Sequence, residues 1–317
     1  MNRGMVLGTL IAIGGLSMSV AAWQQPAAGA AGQPAPMVIE VQKLRDNLFL
    51  LGGANGGGNT AVFVQTIGVT VVDTKNPGWG APILAKIKEL TTKPVVRIIN
   101  THTHGDHVSG NVEFPPNIDI VVHANTRNNM LTMVPASGVA QTGPPRNIFQ
   151  ENQKRGMPTR IFTDTLTIGQ GADQIDLKYF GRGHTNGDTW VFFPALGVVH
   201  AGDIFPGKQL PIMDSNNGGT ALGYADTLMK AHAGLGKVDS IITGHSTVMT
   251  PADLKEFADF NREFVNTVAE GKKAGRSVDE IAATWTLPTK YPGYTAPTPQ
   301  QMPRVRSNVA LAFQELK

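Results

Sequence analysis

The feature that most constrains this chain is the segment Thr101–His107, with the sequence THTHGDH, which directly follows a β-branched run. It holds three of the eight histidines of the protein. In an extended segment alternate side chains point the same way, so His102 and His104 share a face. The glycine that follows lets the chain turn, which directs Asp106 and His107 toward a different point. The pattern predicts two imidazoles for one metal ion, and a carboxylate with an imidazole for a second.

Three further ligand-type residues, His184, Asp203 and His245, each stand beside a glycine, just after a predicted strand. Loops at one edge of a sheet are where the residues of a site converge. The chain has no cysteine, which excludes disulfides, a thiolate nucleophile and thiolate metal ligands. Imidazole and carboxylate ligands without thiolate suit zinc, and also iron or manganese.

The chain has 317 residues, of which 41% are hydrophobic and 16% charged, so it can bury a sizeable core. The net charge of +3 comes without a long basic run, so nucleic acid is not an expected partner. Short β-type runs, two βα units and a second β-rich stretch precede helical patterns that begin at Ala221, and the segment Val278–Lys317 predicts two helices around a turn. The two β-rich halves can form one four-layer domain.

The N-terminus predicts a secretory signal peptide. Arg3 precedes the uncharged apolar stretch Met5–Ala22, and small residues at Ala28–Ala30 suit cleavage, with Val20–Ala22 as a second candidate site. A membrane anchor is the alternative, although glycines interrupt the stretch and it lies at the short end for crossing a bilayer. We expect a secreted or periplasmic protein that is not inserted in a membrane after cleavage.

The chain resembles the metallo-β-lactamase superfamily from about Leu48 to His245. Five motifs occur in order: Asp73 in the sequence VVDT, the THTHGDH segment, and the three residues His184, Asp203 and His245. The resemblance implies an α+β fold, a four-layer αβ/βα sandwich with its site on the upper edge and extra C-terminal helices. We expect a signal peptide at 1–30, a flexible lead-in at 31–36, the domain at 37–250 and packed helices at 251–317.

The resemblance also implies a ligand set for two zinc ions per chain. One metal would be held by His102, His104 and His184, the second by Asp106, His107 and His245, with Asp203 bridging both. Asp73 would orient ligands from behind them. We read the three other histidines, His123, His200 and His232, as structural.

The expected function is that of an exported dinuclear zinc hydrolase acting on a small molecule. A hydroxide shared by the metals would attack a carboxyl-derived bond of a β-lactam, thioester, lactone or ester, with Asp106 orienting it. The family's di-iron oxygen-reducing branch carries glutamate where His104 stands, which favours hydrolysis. A mononuclear-iron persulfide dioxygenase keeps the same histidines and is the alternative. The cysteine ligand of the broad zinc β-lactamases is replaced by Asp203, as in glyoxalase-type thioesterases and lactonases.

The sequence pattern supports the prediction of substrate-binding residues less than it supports that of the metal ligands. The irregular stretches Pro135–Pro158 and Gly207–Gly219 should form the pocket walls, and their cationic excess favours an anionic substrate. Lys208 is the expected contact to a substrate carboxylate, with a purely structural role as the alternative. Asn216 or Asn217 is the expected oxyanion donor, with a loop turn as the alternative.

Overall fold

The structure, a computed structural model, describes residues 37–53, 55–141 and 143–317. The predicted signal peptide and lead-in, residues 1–36, lie outside the described residues. Within those ranges twelve strands form two sheets. The first sheet has the order β1 to β7, antiparallel from β1 to β4 and parallel from β4 to β7. Its strands are β1 (Glu40–Arg45), β2 (Leu48–Gly52), β3 (Thr60–Gln65), β4 (Gly68–Val72), β5 (Val95–Ile99), β6 (Asp119–His123) and β7 (Arg160–Phe162).

The second sheet has the order β12-β11-β10-β9-β8. Its strands are antiparallel except for the pair β11 and β12, which is parallel. The strands are β8 (Thr165–Ile168), β9 (Ile175–Lys178), β10 (Trp190–Phe193), β11 (Val198–Gly202) and β12 (Ser240–Thr243). The sequence pattern did not predict β8.

Helices flank the two sheets. Some of them connect strands, and the others follow the last strand. The helices are α1 (Gly80–Leu90), α2 (Gly105–Val108), α3 (Ala124–Met130), α4 (Ile148–Glu151), α5 (Tyr224–Ala233), α6 (Pro251–Lys273), α7 (Val278–Thr284) and α8 (Met302–Glu315). The start of α6 is set by Thr250, whose side chain accepts from the backbone of Asp253 in a reciprocal capping box, with proline at the first helical position. None of the helices in the described ranges is long and apolar enough to cross a membrane.

The core is divided into layers that define the architecture. Apolar residues from both sheets interleave between them, with Phe63 and Phe193 in edge contact at 5.1 Å between ring centroids. The outer face of the first sheet packs on α1 through Ile83 and Ile87. The outer face of the second sheet packs on α5 to α8, including Phe257 of α6. Residues 37–317 therefore form one compact unit of helix, sheet, sheet and helix, and the C-terminal helices share its core.

Candidate metal centre

The strand directions bring the predicted ligands to one edge of the sandwich. The parallel strands β4 and β5 end beside Asp73 and the THTHGDH segment. The parallel strands β11 and β12 end at Asp203 and His245, and His184 lies in the connection that leaves β9. Because β9 and β11 are each antiparallel to β10, they run in the same direction. All seven predicted ligands therefore meet at this edge.

The first group of ligand atoms comes from His102, His104, His184 and Asp203, all buried, and one atom from each lies within 4.8 Å of the others. Nδ1 of His104 lies 3.0 Å from Nε2 of His184. Nε2 of His102 is buried without a hydrogen-bond partner. The three imidazoles are arranged edge to face with centroids 4.6–4.8 Å apart, so their nitrogen atoms converge on one point.

The second group comes from Asp106, His107 and His245, whose ligand atoms also lie within 4.8 Å of one another. The two Nε2 atoms of His107 and His245 are 3.3 Å apart. Oδ2 of Asp106 lies 3.2 Å from Nε2 of His245 and 3.7 Å from Nε2 of His107. Two nitrogens and a carboxylate oxygen thus face one point.

Asp203 stands between the two groups. Its Oδ1 lies 3.1 Å from Nε2 of His107, and its Oδ2 lies 3.1 Å from Nε2 of His245 and 3.9 Å from Nε2 of His184. No residue larger than glycine fits at position 244, because a Cβ atom there would collide with the carboxylate of Asp203. One carboxylate therefore contacts histidines of both groups.

Asp73, which the resemblance implied as a residue that orients ligands, contacts His107 and Thr101. Its Oδ2 accepts from Nδ1 of His107 at 2.7 Å and from the hydroxyl of Thr101 at 2.6 Å, and its Oδ1 accepts from the backbone N–H of Thr101 at 2.8 Å. The hydroxyl of Thr101 in turn lies 3.0 Å from Nδ1 of His102. Asp73 adopts a left-handed backbone conformation, with φ of 61°. Such strain in a non-glycine residue occurs where the site requires a particular side-chain direction.

Asp214 is a second carboxylate that contacts a candidate ligand. The sequence did not identify this contact, because Asp214 counted there only as one negative charge in the stretch Gly207–Gly219. Its Oδ2 accepts from Nε2 of His104 at 2.8 Å, and its Oδ1 accepts from the backbone N–H of Ser137 at 2.9 Å. A carboxylate on the outer ring nitrogen fixes the tautomer and leaves Nδ1 of His104 to face the site. The residues after Asp214 are typical of a turn, and aspartate commonly caps such turns, so this pattern was the signal in the sequence that could have pointed to Asp214.

A backbone carbonyl supports the third histidine of the first group. Nδ1 of His184 donates to the carbonyl of Ile212 at 2.7 Å. The segment around Ile212 is itself held by Asn308 of α8, which accepts from the N–H of Met213 and donates to the carbonyl of Pro211. The C-terminal helix therefore helps to position a predicted metal ligand.

Two histidines of the first group and two of the second differ in the direction of their pKa shifts. Burial, and then the neighbouring imidazoles, hold the pKa of His102 well below its usual range. Burial and His104 lower the pKa of His184 to about 4. Burial also opposes charge on His107 and His245, but the carboxylates of Asp203 and Asp106 outweigh it, so the pKa of His107 rises well above its usual range and that of His245 rises to about 9. A cation is thus electrostatically favoured beside the two carboxylates.

The donor set fits metal ions. A buried imidazole nitrogen without a partner, as in His102, is costly unless a ligand satisfies it. Oδ1 of Asp203 is also buried and makes no hydrogen bond, although His107 lies near it. Asp73 holds one ring nitrogen of His107, and Asp214 holds one ring nitrogen of His104. The other nitrogen of each ring faces the site with its lone pair, which is the arrangement that imidazole–metal coordination requires.

A cavity of about 940 Å³ opens above this centre. It is lined by His104, Asp106, Asp203 and His245 at its floor. Its walls come from residues within 133–141 and 143–148 and from Pro206, Gln209 and Ile212, so parts of both predicted irregular stretches line the cavity. A further wall residue, Arg304 of α8, was not predicted.

The three residues predicted to bind substrate make other contacts. Nζ of Lys208 lies 2.9 Å from Asp253 and 3.0 Å from Glu256, and Lys208 does not line the cavity. The side chain of Asn216 donates to the carbonyl of Pro135, and that of Asn217 donates to Asp214 and to the carbonyl of Val134. These contacts favour the alternatives, an ion pair for the lysine and turn stabilisation for the two asparagines.

The remaining histidines lie outside the two ligand groups. His123 accepts from the N–H of Asn125 at the start of α3 and contacts the carbonyl of Thr163. His200 lies between the N–H of Gly202 and the carbonyl of Asn59. His232 is half-buried on α5. The contacts of His123 and His200 are those of structural residues.

Solved structures share this architecture. The DIM-1 metallo-β-lactamase matches with a TM-score of 0.55 and 15% identity over 71% of this chain and 97% of that chain. The metallo-β-lactamase from Pontibacter korlensis has a TM-score of 0.56 and 17% identity, over 71% and 99%. The stereoselective inverting sec-alkylsulfatase Pisa1 from Pseudomonas sp. has a TM-score of 0.65 and 13% identity, over 88% of this chain and 50% of that chain. These likenesses confirm the predicted α+β, metallo-β-lactamase-like fold with C-terminal helices.

Sequence relatives include two kinds of hydrolase. Metallo-beta-lactamase IND-1 of Chryseobacterium indologenes is 26% identical over 68% of this chain and 85% of its own length. Metallo-beta-lactamase type 2 of Elizabethkingia meningoseptica is 26% identical over 55% of this chain and 64% of its own length. A hydroxyacylglutathione hydrolase of Crocosphaera subtropica is 28% identical over 53% of this chain, which spans about half of that relative (51%).

The family model of the metallo-beta-lactamase superfamily matches residues 54–245, more than half of the chain, including the residues of both ligand groups. The chain therefore belongs to the metallo-β-lactamase superfamily, as the motifs predicted. Membership, the names of the relatives and the His/Asp clusters support a metal-dependent hydrolase.

Proposed function

We propose that the protein is an exported dinuclear zinc hydrolase that cleaves a carboxyl-derived bond in a small molecule, such as a β-lactam, thioester, lactone or ester. The observation that carries this proposal is the position of Asp203. Its oxygens lie 3.1 Å from Nε2 of His107 and of His245 in the second group, and Oδ2 also lies 3.9 Å from Nε2 of His184 in the first group. A carboxylate in that position suits a bridge between two cations. The absence of cysteine leaves imidazole and carboxylate donors, which suit zinc, with iron or manganese as alternatives.

In this proposal one ion would be held by His102, His104 and His184 and the other by Asp106, His107 and His245, with Asp203 available to both. When bound, a pair of divalent cations lowers the pKa of water and stabilises negative charge that develops on the substrate. Asp73 and Asp214 hold the outer nitrogens of His107 and His104, so those two rings keep one tautomer throughout turnover.

Asp106 is the proposed proton acceptor. Partial burial raises the pKa of its carboxyl, but the imidazoles of His107 and His245 outweigh burial and hold it well below its usual range. The carboxylate is therefore ionised at neutral pH, and it lines the cavity. It can accept a hydrogen bond from an attacking water and take its proton.

Export is part of the proposal and rests on the sequence alone. Arg3, the apolar stretch Met5–Ala22 and the small residues that follow are the signal-peptide features. N-terminal sequencing of the protein from a periplasmic or secreted fraction should show the loss of 22 to 30 residues, the span between the two candidate cleavage sites. An intact Met1 in a cytoplasmic pool would contradict it.

The central experiment measures metal content and activity on the same purified sample. We expect two zinc-type ions per chain and hydrolysis in a panel of β-lactam, thioester, lactone, ester and phosphoester substrates. Chelation should abolish activity, and zinc should restore it. One iron per chain with no second metal would overturn the dinuclear proposal and favour the persulfide dioxygenase alternative.

A further inference from the structure

Two side chains that line the cavity carry a permanent positive charge, Arg146 and Arg304. Arg146 is paired with Glu151: its Nε lies 2.9 Å from Oε1, and its Nη2 contacts Oε2. This pair engages Nε and Nη2 of a largely exposed guanidinium and offsets part of its charge. An anionic ligand would therefore compete with Glu151 for Arg146.

Arg304 has no such partner. Its Nη1 donates to the backbone carbonyl of Leu210 at 3.2 Å, and its buried Nε has no hydrogen-bond partner in the described part of the chain. The ion pairs formed by the described residues do not include it. A guanidinium carries five N–H donors, and among the described residues the hydrogen bond to Leu210 is the contact that engages Arg304.

The charge of Arg304 persists in spite of its surroundings. Burial lowers the pKa of its guanidinium and the carboxylate of Asp203 raises it, but arginine remains protonated in proteins. A partly buried cation without an anion is unfavourable in the free protein. An anion that enters the cavity would remove that penalty on binding.

The position of Arg304 relative to the metal centre is fixed by α8. Asn308, one helical turn after Arg304, holds both ends of the segment Pro211–Met213 through bonds of 2.8 and 3.1 Å. Within that segment the carbonyl of Ile212 accepts from His184. The guanidinium is thus attached to the same short segment that positions a metal ligand, so it is held in place before a substrate binds.

Part of the cavity wall is apolar. Val134 and Val139 line the cavity and are 43% and 40% exposed, and Pro144 and Ile148 lie beside them. Exposed apolar side chains at a concave surface suit the apolar part of a ligand. The cavity therefore offers three different surfaces: metal ligands, an apolar wall and one unpaired guanidinium.

We propose that Arg304 binds a carboxylate of the substrate that is remote from the bond to be hydrolysed, so that the substrate is an acyl compound with an apolar segment and a free carboxylate. This inference deepens the proposed hydrolase function and rests on it. It replaces Lys208 with Arg304 as the residue that selects an anionic substrate.

The kinetic test uses two aryl esters of similar length, mono-4-nitrophenyl glutarate, which carries a free carboxylate, and 4-nitrophenyl pentanoate, which does not. Arg304→Met should raise KM for the glutarate ester about tenfold or more with little change in kcat, since a hydrogen-bonded charge contact contributes about 1.5–3 kcal/mol. Kinetics with the pentanoate ester should not change. Arg304→Lys should recover part of the loss, because it restores the charge without the planar fork.

The control is Arg306→Met, which removes a cation from the same helix. Arg306 pairs with Asp279 and is largely exposed, so this variant should behave like the wild type with both esters. An equal loss for the two esters in Arg304→Met would show that Arg304 only supports the fold through Leu210, and would overturn the inference.

A binding measurement separates this inference from the hydrolase proposal. Glutarate and pentanoate each have one carboxylate for the metal centre, and glutarate has a second one. Calorimetry on the zinc-loaded protein should show tighter binding of glutarate, and Arg304→Met should remove that difference. If neither ester is hydrolysed but the preference for glutarate is present and lost in the variant, the proposed activity fails and the anion site stands. No preference in the wild type, or the same preference in the variant, overturns the anion site.

Discussion

Oδ2 of Asp214 accepts a hydrogen bond from Nε2 of His104 at 2.8 Å, across 110 residues of chain. The carboxylate is itself held by the N–H of Ser137 and by the side chain of Asn217. These contacts explain the low pKa of Asp214, about 2: burial raises it, but His104 and the other donors outweigh burial. His104 therefore has one ring nitrogen committed to a fixed anion, and the other faces the metal centre.

Asp214→Asn should weaken the first metal site without unfolding the protein. The new amide keeps an acceptor for the backbone of Ser137, but its N–H group opposes Nε2 of His104 and favours the tautomer that protonates Nδ1. We expect about 10–100-fold weaker zinc binding, the usual effect of losing such a partner, measured by competition with a chelator. Asp173→Asn is the matched control, since Asp173 also accepts from a backbone N–H but lies at the surface. Unchanged zinc affinity in Asp214→Asn would contradict this role.

Asp203→Ala should remove most activity and lower the metal content toward one ion per chain. Two cations that share no carboxylate repel each other more strongly, and His107 and His245 lose the anion that they now contact. Circular dichroism should show a retained fold, because the side chain lies at the edge of the sheets and not between them. Wild-type turnover with two bound ions would show that Asp203 is not a ligand.

The stability of the protein in acid should depend on His200. Burial lowers the pKa of this imidazole from its usual 6.5 to about 4. The unfolded chain therefore binds the proton more tightly, so stability that is present above pH 6.5 is lost as the pH falls toward 4. The loss amounts to about 3 kcal/mol, from 1.36 kcal/mol per pKa unit.

His200→Gln removes this titration while keeping a donor toward Asn59. Urea unfolding between pH 4 and 7 should show a smaller decrease in the free energy of unfolding for the variant than for the wild type. Metal loss in acid affects both proteins, so the difference between their slopes reports on His200. Parallel slopes would mean that His200 is protonated in the folded protein well above pH 4.

Lys208→Ala distinguishes the two roles considered for this lysine. A substrate contact predicts a several-fold rise in KM for an anionic substrate and little change for a neutral one. The ion pairs with Asp253 and Glu256 at the start of α6 favour the other outcome, in which both KM values stay the same. The free energy of unfolding should then fall by no more than about 1 kcal/mol, as for other partly exposed ion pairs. A selective rise in KM would restore Lys208 as a substrate residue.

The candidate metal ligands, which the structure brings to one edge, could be selected from the sequence because their signals are local. His102 and His104 alternate on an extended segment, Gly105 marks a turn, and His184, Asp203 and His245 each follow a β-type run beside a glycine. Strand direction and turn position depend on neighbouring residues, and parallel strands end at the same edge of a sheet. The family, the α+β class and the layered fold followed from the same motifs. Strand β8 was missed because its four residues alternate over too short a run to indicate a strand without the pairing with β9.

The partners of those ligands and the chemistry of the cavity walls were decided by tertiary structure. Asp214 reaches His104 only because the connection after β11 folds back over the site. Lys208 contacts two carboxylates at the start of α6, and Arg304 lines the cavity because α8 packs on the segment Leu210–Met213. In each case the contact joins segments far apart in sequence. Its geometry depends on how a helix is rotated and placed in the packed core, which the periodicity of one segment does not specify.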